Sequence, residues 1–247
     1  MTFSAEHLVA LALFLLLLLS FVGRDNPKRA FRSIPAFKEL RRTIQLSVED
    51  GSQLQISLGH GGLLGPHSAA AFAGLTLLNQ MADTAADSDQ PPIATGGDAT
   101  LMLLAQDTLR HAYWRLKLPE QYHPHLGRVT GLTPFSYAAG SLALILDGSV
   151  SASALVGHHG QEAGLISSAS QLRGAFVLGG SPDLSGQALL YASAEEPLLG
   201  EELYAAGAYS QAGPAHQASL RAQDVLRWVI IIAILISAGL PLLESLL

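Results

Sequence analysis

Short apolar segments alternate with longer segments of helical periodicity through the middle of this chain. Residues 91–95, 150–156 and 172–178 predict strands, and residues 68–85 and 99–118 predict helices. Strands that alternate with helices favour parallel pairing, because each helix carries the chain back across the sheet. We therefore predict an α/β fold with a mixed, partly parallel sheet and flanking helices.

One segment near the start of this domain departs from the alternation. Residues 43–48 and 53–58 alternate apolar and polar side chains on either side of the pair Asp50-Gly51. An Asp-Gly turn between two such segments is typical of a β-hairpin. We therefore predict an N-terminal hairpin that adds an antiparallel edge to the sheet.

Two apolar segments flank the domain. Residues 8–22 read LVALALFLLLLLSFV, and residues 228–247 read WVIIIAILISAGLPLLESLL. About 20 residues cover the hydrocarbon core of a bilayer. We therefore predict a transmembrane signal anchor at 1–23 and one long helix at 214–247 that continues into a second span. A cleaved signal peptide is the alternative for the first segment, and a buried core helix is the alternative for the second.

The basic residues are concentrated beside the first apolar segment. Residues 24–42 form a basic juxtamembrane segment with seven Lys/Arg and two Asp/Glu, whereas residues 43–226 contain six Lys/Arg and sixteen Asp/Glu. The positive-inside rule then places the α/β domain, 43–213, on the cytoplasmic side of the membrane, with both termini outside. The residues predicted to lie at the membrane interface are Arg24, Lys28, Arg29, Arg32, Lys38, Arg41, Arg42, Arg227 and Trp228.

The acidic balance of the domain also limits its partners. A protein that follows a nucleic-acid backbone neutralises phosphates with Lys and Arg. Because the domain carries many more acidic than basic residues, we predict no nucleic-acid partner. The predicted partners are the lipid bilayer and other copies of this chain.

The stretch GHHGQE carries the most distinctive polar side chains of the domain. His158, His159 and Glu162 are metal-ligating residue types, and His123 and His125 could add ligands from a loop. The chain has no cysteine, the stretch lacks the HExxH order, and a structural zinc site needs four ligands. The pattern favours a turn at a strand end, whose imidazoles bond to the backbone or face solvent. We predict no metal and no cofactor.

Two glycine-rich turns precede predicted helices. The stretch IATGGDATLMLL places Gly96, Gly97 and Asp98 between a strand and a helix, and GGLLGP precedes the helix at 68–85. Free N–H groups at such turns bind anions, but neither turn matches a phosphate-binding motif or carries a lysine. A helix N-cap at Asp98 is the simpler interpretation. The candidate ligand-binding residues are Gly96, Gly97, Asp98, Gly157, His158, His159 and Glu162.

Several blocks of the chain have distinctive amino-acid sequences. They are FRSIPAFKELRRTIQLSVEDG, PPIATGGDATLMLLAQDTLR, GLTPFSYAAG, EEPLLGEELYAAGAY and AQDVLRW. Together they resemble an uncharacterised bacterial family of membrane-anchored proteins, classed as a domain of unknown function, over about residues 30–235. The resemblance implies one continuous domain between two transmembrane helices, and it transfers no functional residue.

Three functions follow as hypotheses. The absence of a catalytic motif, the two apolar ends and the helices rich in small residues favour a non-enzymatic, membrane-anchored homo-oligomer that acts as a scaffold, ring or cage. The alternative is a ligand-binding or sensory domain coupled to the membrane by its C-terminal helix, with a pocket at the carboxyl ends of the strands. The third is a metal-dependent hydrolase that uses His158, His159 and Glu162.

Overall fold

The computed structural model describes residues 9–10, 13–14, 17–18, 32–210 and 214–244. The chain divides into two compact units. One unit, Arg32–Ser210, contains the α/β sheet, and the other combines Met1–Phe31 with Gln211–Leu247.

The sheet of the first unit has six strands. They are β1 (Gln53–Gly59), β2 (Ile93–Gly96), β3 (Gly127–Val129), β4 (Val150–His158), β5 (Phe176–Gly180) and β6 (Glu196–Pro197). Their spatial order is β3-β2-β1-β4-β5-β6, and every pair of neighbours is parallel. The prediction of an α/β sheet with flanking helices is confirmed, and the sheet is parallel throughout.

Helices connect the strands and cover the sheet. In the first unit they are α1 (Pro35–Glu49), α2 (Ser68–Ala85), α3 (Ala99–Arg115), α4 (Pro134–Asp147), α5 (Ala163–Leu172), α6 (Leu184–Ser193) and α7 (Ala206–Tyr209), with 3-10 turns at Pro119–Gln121, Pro124–Leu126 and Gly200–Ala205. The second unit contains α8 (Pro214–Glu244). The predicted helix at 68–85 matches α2 to the residue.

Apolar side chains from both faces of the sheet form the core. On one face, α2 packs against β1 and β4 and contacts α1 and α3; on the other, α5 lies between α4 and α6. Because helices cover both faces, β1 is buried along almost its whole length. The buried cluster under α4, α5 and α6 includes Tyr137, Ile145, Leu155, Ile166, Val177 and Leu190.

The order of the strands creates a switch point between β1 and β4. From β1 the chain moves outward through β2 to β3, and from β4 it moves outward in the opposite direction through β5 to β6. The connecting helices therefore diverge on opposite faces from the carboxyl ends of the two central strands. Open sheets of this doubly wound kind bind their ligands at that position.

The predicted N-terminal hairpin is wrong. Residues 43–48 belong to α1, and the only strand of that segment is β1. The Asp-Gly pair ends the helix instead of turning a hairpin: Gly51 has a φ of 63°, and the N–H of Ser52 donates to the carbonyl of Ser47 at 2.9 Å. A glycine in this conformation, followed by such a bond, is a common helix C-terminus.

The apolar side chains of α1 explain why a helix forms there. Phe37, Leu40 and Ile44 recur every three to four residues and are buried on one face, together with Ala36. The ring of Phe37 stacks on Tyr209 with a centroid distance of 5.1 Å. Part of the predicted juxtamembrane segment therefore contributes to the core of the α/β unit.

The predicted membrane location is wrong. Among the described residues, no helix is both long and apolar enough to cross a membrane. A span needs about 20 apolar residues, but Arg221, Asp224 and Arg227 occupy the first half of α8. The prediction of two spans, with a cytoplasmic domain and both termini outside, is corrected accordingly. The predicted anchor at 1–23 lies largely outside the described residues.

The basic residues predicted at a membrane interface have other surroundings where the structure describes them. Arg32 forms an ion pair with Glu202, and Arg41 donates to the carbonyl of Tyr209 at 2.9 Å. These contacts join the start of the unit to its end. Lys38 and Arg42 are exposed on α1, Arg227 and Trp228 lie on α8, and Arg24, Lys28 and Arg29 lie outside the described residues.

Candidate functional site

Backbone hydrogen bonds join three strand-end turns at the switch point. The N–H of His60, directly after β1, donates to the carbonyl of His158 at the end of β4, at 3.0 Å. On the other side, the N–H of Gly97 after β2 donates to the carbonyl of Gly59 at 2.9 Å. The carboxyl ends of β2, β1 and β4 therefore form one continuous surface, and the side chains of their turns are neighbours.

Glycine is required where these turns touch. Gly59 has a φ of +76°, and a Cβ there would lie 2.1 Å from the carbonyl oxygen of His158. A Cβ on Gly61 would lie 2.6 Å from Cβ of His158, and one on Gly157 would lie 2.0 Å from the carbonyl oxygen of Leu58. These glycines thus permit close packing of the turns, which holds the histidines in place.

Three histidines meet in this surface. The rings of His67 and His158 stack with a centroid distance of 3.7 Å and an interplanar angle of 6°, and the ring of His60 lies 4.8 Å from His158. Burial lowers the pKa of His158, and the neighbouring His67 and His60 lower it further. His158 is therefore neutral at pH 7, and we call His60, His67 and His158 the histidine cluster.

A buried carboxylate borders the histidine cluster. Oε1 of Glu162 lies 2.8 Å from Nδ1 of His60 and accepts the N–H of Gly160 at 2.8 Å. Burial alone would raise the pKa of Glu162, but the close contact with His60 and the N–H of Gly160 outweigh it and lower the pKa to about 2. Glu162 is 2% exposed and His60 is 21% exposed, and His67 and His158 are also partly exposed, so solvent reaches the histidine cluster but not the carboxylate.

A fully hydrogen-bonded histidine lies beneath the cluster. Nδ1 of the buried His159 donates to the carbonyl of Gly157 at 3.2 Å, so Nε2 accepts from the hydroxyl of Ser57 at 2.8 Å. Ser57 in turn contacts the hydroxyl of Tyr137, which accepts the N–H of Gly59. Burial lowers the pKa of His159 to about 4. With so low a pKa the ring is neutral at pH 7, and its bonds to Gly157 and Ser57 make His159 a structural support of the turn.

The structure brings most of the predicted ligand-binding residues to one end of the sheet. Gly96 ends β2, and Gly97 and Asp98 follow it; Gly157 and His158 end β4, and His159 and Glu162 follow it. Asp98 is the predicted N-cap of α3, where Oδ1 accepts the N–H of Leu101 at 2.8 Å. The ligand-binding hypothesis predicted a pocket at this same end of the sheet.

Other histidines do not join this group. His123 and His125 stack on each other before β3, at the amino end of the sheet, so they cannot complete a site with His158. The sequence did not single out His67, Ser57 or Tyr137. No local pattern connects them with the GHHGQE stretch, because they come from β1, the turn before α2 and the helix α4, and only the sheet order makes them its neighbours.

The geometry of the cluster does not suit a metal ion. Among the described residues, no three His, Asp or Glu side chains are arranged to hold one. A metal lies in the plane of the imidazole that binds it, and the parallel planes of His67 and His158 share no such position. Both ring nitrogens of His159 are already used. The metal-dependent hydrolase stays a hypothesis without a ligand set in the described part of the chain.

Comparisons with known proteins identify a family but no activity. Neither the curated proteins nor the solved structures give a match. The family DUF6754, described as a domain of unknown function, matches residues 3–246. This match confirms the uncharacterised family that the sequence blocks indicated, whereas the bacterial origin stays a prediction. The chain belongs to the DUF6754 family.

Proposed function

We propose that this chain binds a small-molecule ligand at the carboxyl ends of β1 and β4. The observation that carries the proposal is the meeting of the histidine cluster and Glu162 at the switch point of the sheet. Polar side chains from separate connections converge there, outside the ends of the two central strands. This is the position at which doubly wound sheets bind ligands.

Unsatisfied polar atoms distinguish the cluster from the structural histidine beneath it. Within the described residues, Nδ1 of His60 and Nδ1 of His158 are buried without a well-aligned hydrogen-bond partner. His60 has Oε1 of Glu162 at 2.8 Å from this nitrogen, so the atom without a close partner is Nδ1 of His158. Leaving a buried polar atom unpaired costs roughly 1–3 kcal/mol. Nδ1 of His158 is left unpaired although both ring nitrogens of His159, in the same stretch, have hydrogen-bond partners.

The proposal rests on these side chains and not on the topology alone, since one fold serves many functions. His60 is partly exposed and the carboxylate behind it is buried. The cluster therefore presents a solvent-accessible imidazole whose orientation is supported from within the domain. Such an arrangement suits recognition of a polar group on a small molecule.

A thermal-shift screen tests the proposal. Wild-type chain is heated with nucleotides, sugar phosphates, carboxylates, neutral sugars, Zn²⁺ and Mn²⁺, beside the variants His60→Ala and His158→Ala. A ligand at one hundred times its Kd stabilises a protein by about 2.7 kcal/mol. We expect one class to give a saturable shift that both variants lose. The matched control is His125→Ala, at the opposite end of the sheet, which keeps the shift.

If no compound stabilises the wild type, or if every shift survives both cluster variants, the site is not a binding site. The self-assembling scaffold predicted from the sequence is a separate hypothesis. Light scattering of the purified chain decides it, because a monodisperse monomer excludes a ring or cage.

A further inference from the structure

The arrangement of the cluster indicates which chemical group it recognises. Building on the proposed function, we infer that the site binds an oxyanion, the phosphate or carboxylate group of a small molecule, held by His60, His67 and His158 with uptake of a proton. Four observations support this assignment: the orientation of the rings, the free backbone N–H groups beside them, the local charges and the state of the imidazoles before binding.

The orientation of the rings favours several donors over a single coordination centre. His67 and His158 stack with nearly parallel rings and a centroid distance of 3.7 Å, so their ring N–H groups lie in adjacent planes. A group with several acceptor oxygens can receive bonds from both planes at once. A metal ion cannot, because it needs lone pairs that converge on one point.

The turn after β1 offers backbone donors next to these rings. In the part of the chain that the structure describes, no N–H of residues 61–64 donates a hydrogen bond to another protein group. Successive free N–H groups in a glycine-rich turn form concave sites that attract anions. The turn packs directly on His158 through Gly61, so its backbone lies next to the imidazoles.

The charges around the cluster make binding conditional on protonation. The turns at 59–67, 96–98, 157–162 and 181–183 contain no Lys or Arg, so positive charge at this site must come from histidine. Oε1 of Glu162 already contacts Nδ1 of His60 and accepts the N–H of Gly160.

Two further carboxylates face the cluster and oppose an anion. Asp183 acts on the charge of His158, and Asp98 lies against the turn at Gly62. Asp183 accepts the N–H groups of Ser185 and Gly186, and Asp98 accepts that of Leu101. These bonds reduce the opposition of both carboxylates without removing it. His159 contributes no charge between pH 6 and pH 8, because burial lowers its pKa to about 4.

Proton uptake follows from the state of the cluster without ligand. Burial and the neighbouring imidazoles lower the pKa of His158, so the ring is neutral near pH 7. An adjacent oxyanion stabilises the protonated ring and raises this pKa. The affinity for an oxyanion therefore increases as the pH falls from 8 to 6. A metal ion has the opposite dependence, because protons compete with it for the imidazoles.

Calorimetric titration of the full chain with sulfate tests the inference, because sulfate keeps its charge between pH 6 and pH 8. Acetate is the carboxylate probe, and chloride at matched ionic strength is the salt control. We expect binding about tenfold tighter at pH 6 than at pH 8, with a heat that depends on the buffer and so reports proton uptake. His158→Ala abolishes the binding, whereas His125→Ala leaves it unchanged.

A second variant is expected to bind sulfate more tightly, a result that misfolding cannot produce. Asp183→Asn removes an opposing charge next to His158, and asparagine remains a good N-cap for α6. We expect sulfate to bind this variant about two- to fivefold more tightly at pH 7. This is the gain expected from removing one partly screened repulsion between a carboxylate and the anion. An unchanged or weaker affinity overturns the oxyanion assignment.

The outcomes separate this inference from the function on which it rests. If Zn²⁺ or a neutral sugar binds through His60 and His158 and sulfate and acetate do not, the oxyanion assignment is overturned and the binding function stands. The same conclusion follows if binding weakens as the pH falls. If no probe binds through the cluster, both are overturned.

Discussion

Nδ1 of His60 lies 2.8 Å from Oε1 of Glu162, and this contact joins the end of β1 to the start of α5 across the switch point. The two residues are about one hundred positions apart in the chain. Their contact lies between strands whose connections diverge on opposite faces of the sheet. The pair therefore contributes to the position of the histidine cluster and to the stability of the two central turns.

Glu162→Gln removes the charge from this contact. The amide still fills the space but carries no charge opposite His60, and its oxygen accepts the N–H of Gly160 more weakly. We expect the free energy of unfolding at pH 7 to fall by on the order of 1–3 kcal/mol, measured by urea denaturation. The exposed Glu120→Gln is the control and should change it by less than about 0.5 kcal/mol. Equal stability of both variants contradicts the role assigned to the pair.

The same carboxylate predicts sensitivity to strong acid. The folded pKa of Glu162, about 2, lies below the ordinary value of 4.5, so the unfolded state binds its proton first as the pH falls. The stabilisation is fully present above about pH 4.5 and is lost between pH 4.5 and about 2. Urea unfolding of the wild type and of Glu162→Gln across this window should converge, and parallel curves would argue against the assignment.

His159 predicts a separate loss of stability at milder pH. Its pKa falls from 6.5 unfolded to about 4 folded, so the unfolded state binds the proton more readily in this range. Stability should decrease by on the order of 2–3 kcal/mol as the pH falls from 6.5 to 4. In His159→Gln this dependence should flatten, although the variant is less stable at pH 7. His125→Ala should retain the wild-type slope, and a flat wild-type curve would refute the prediction.

Two glycine substitutions test how closely the turns pack. Gly157→Ala places a methyl group 2.0 Å from the carbonyl oxygen of Leu58, whereas Gly65→Ala points into open space. We expect Gly157→Ala to destabilise the fold by at least about 3 kcal/mol, because backbone must move on both strands. Gly65→Ala should change stability by less than about 0.5 kcal/mol. Comparable melting temperatures for the two variants would show that the turns are looser than described.

Adjacent residues of α1 test its assignment to the core. Phe37 is buried and stacks on Tyr209, whereas Lys38 is exposed. Phe37→Ala should lower the free energy of unfolding by about 3–5 kcal/mol, the range for removing a buried aromatic ring. Lys38→Ala should leave it nearly unchanged. A small effect at Phe37 would mean that α1 does not pack on the sheet.

Local patterns predicted most of the helices and strands of the domain. The helix at 68–85 follows from apolar residues at helical spacing, and Asp98 is the N-cap that its position after a glycine pair indicated. Both features depend on interactions within a few residues, which a single sequence contains. The alternation of strands and helices also implied parallel pairing, because a helix between two strands returns the chain to the end of the sheet at which the first strand began.

The segment around Gly51 shows where prediction from local sequence patterns fails. Its side chains suit alternate strand positions and also one buried face of a helix, and a glycine after an aspartate suits both a hairpin and a helix end. Packing of Phe37, Leu40 and Ile44 on the core decided between them. The membrane prediction failed for a related reason: apolar composition at the chain ends was taken to imply spans that the described helices do not provide.

The sequence by itself determined the α/β class, the glycine-rich turns and the histidines that follow the strands. Only the tertiary structure decided that His60, His67, His158 and Glu162 meet, and that His159, although adjacent to His158, is buried and fully hydrogen-bonded. The physical reason is the strand order, which places β4 directly beside β1 although about ninety residues separate them. Contacts between such distant segments depend on how the whole sheet assembles, and no local pattern contains that information.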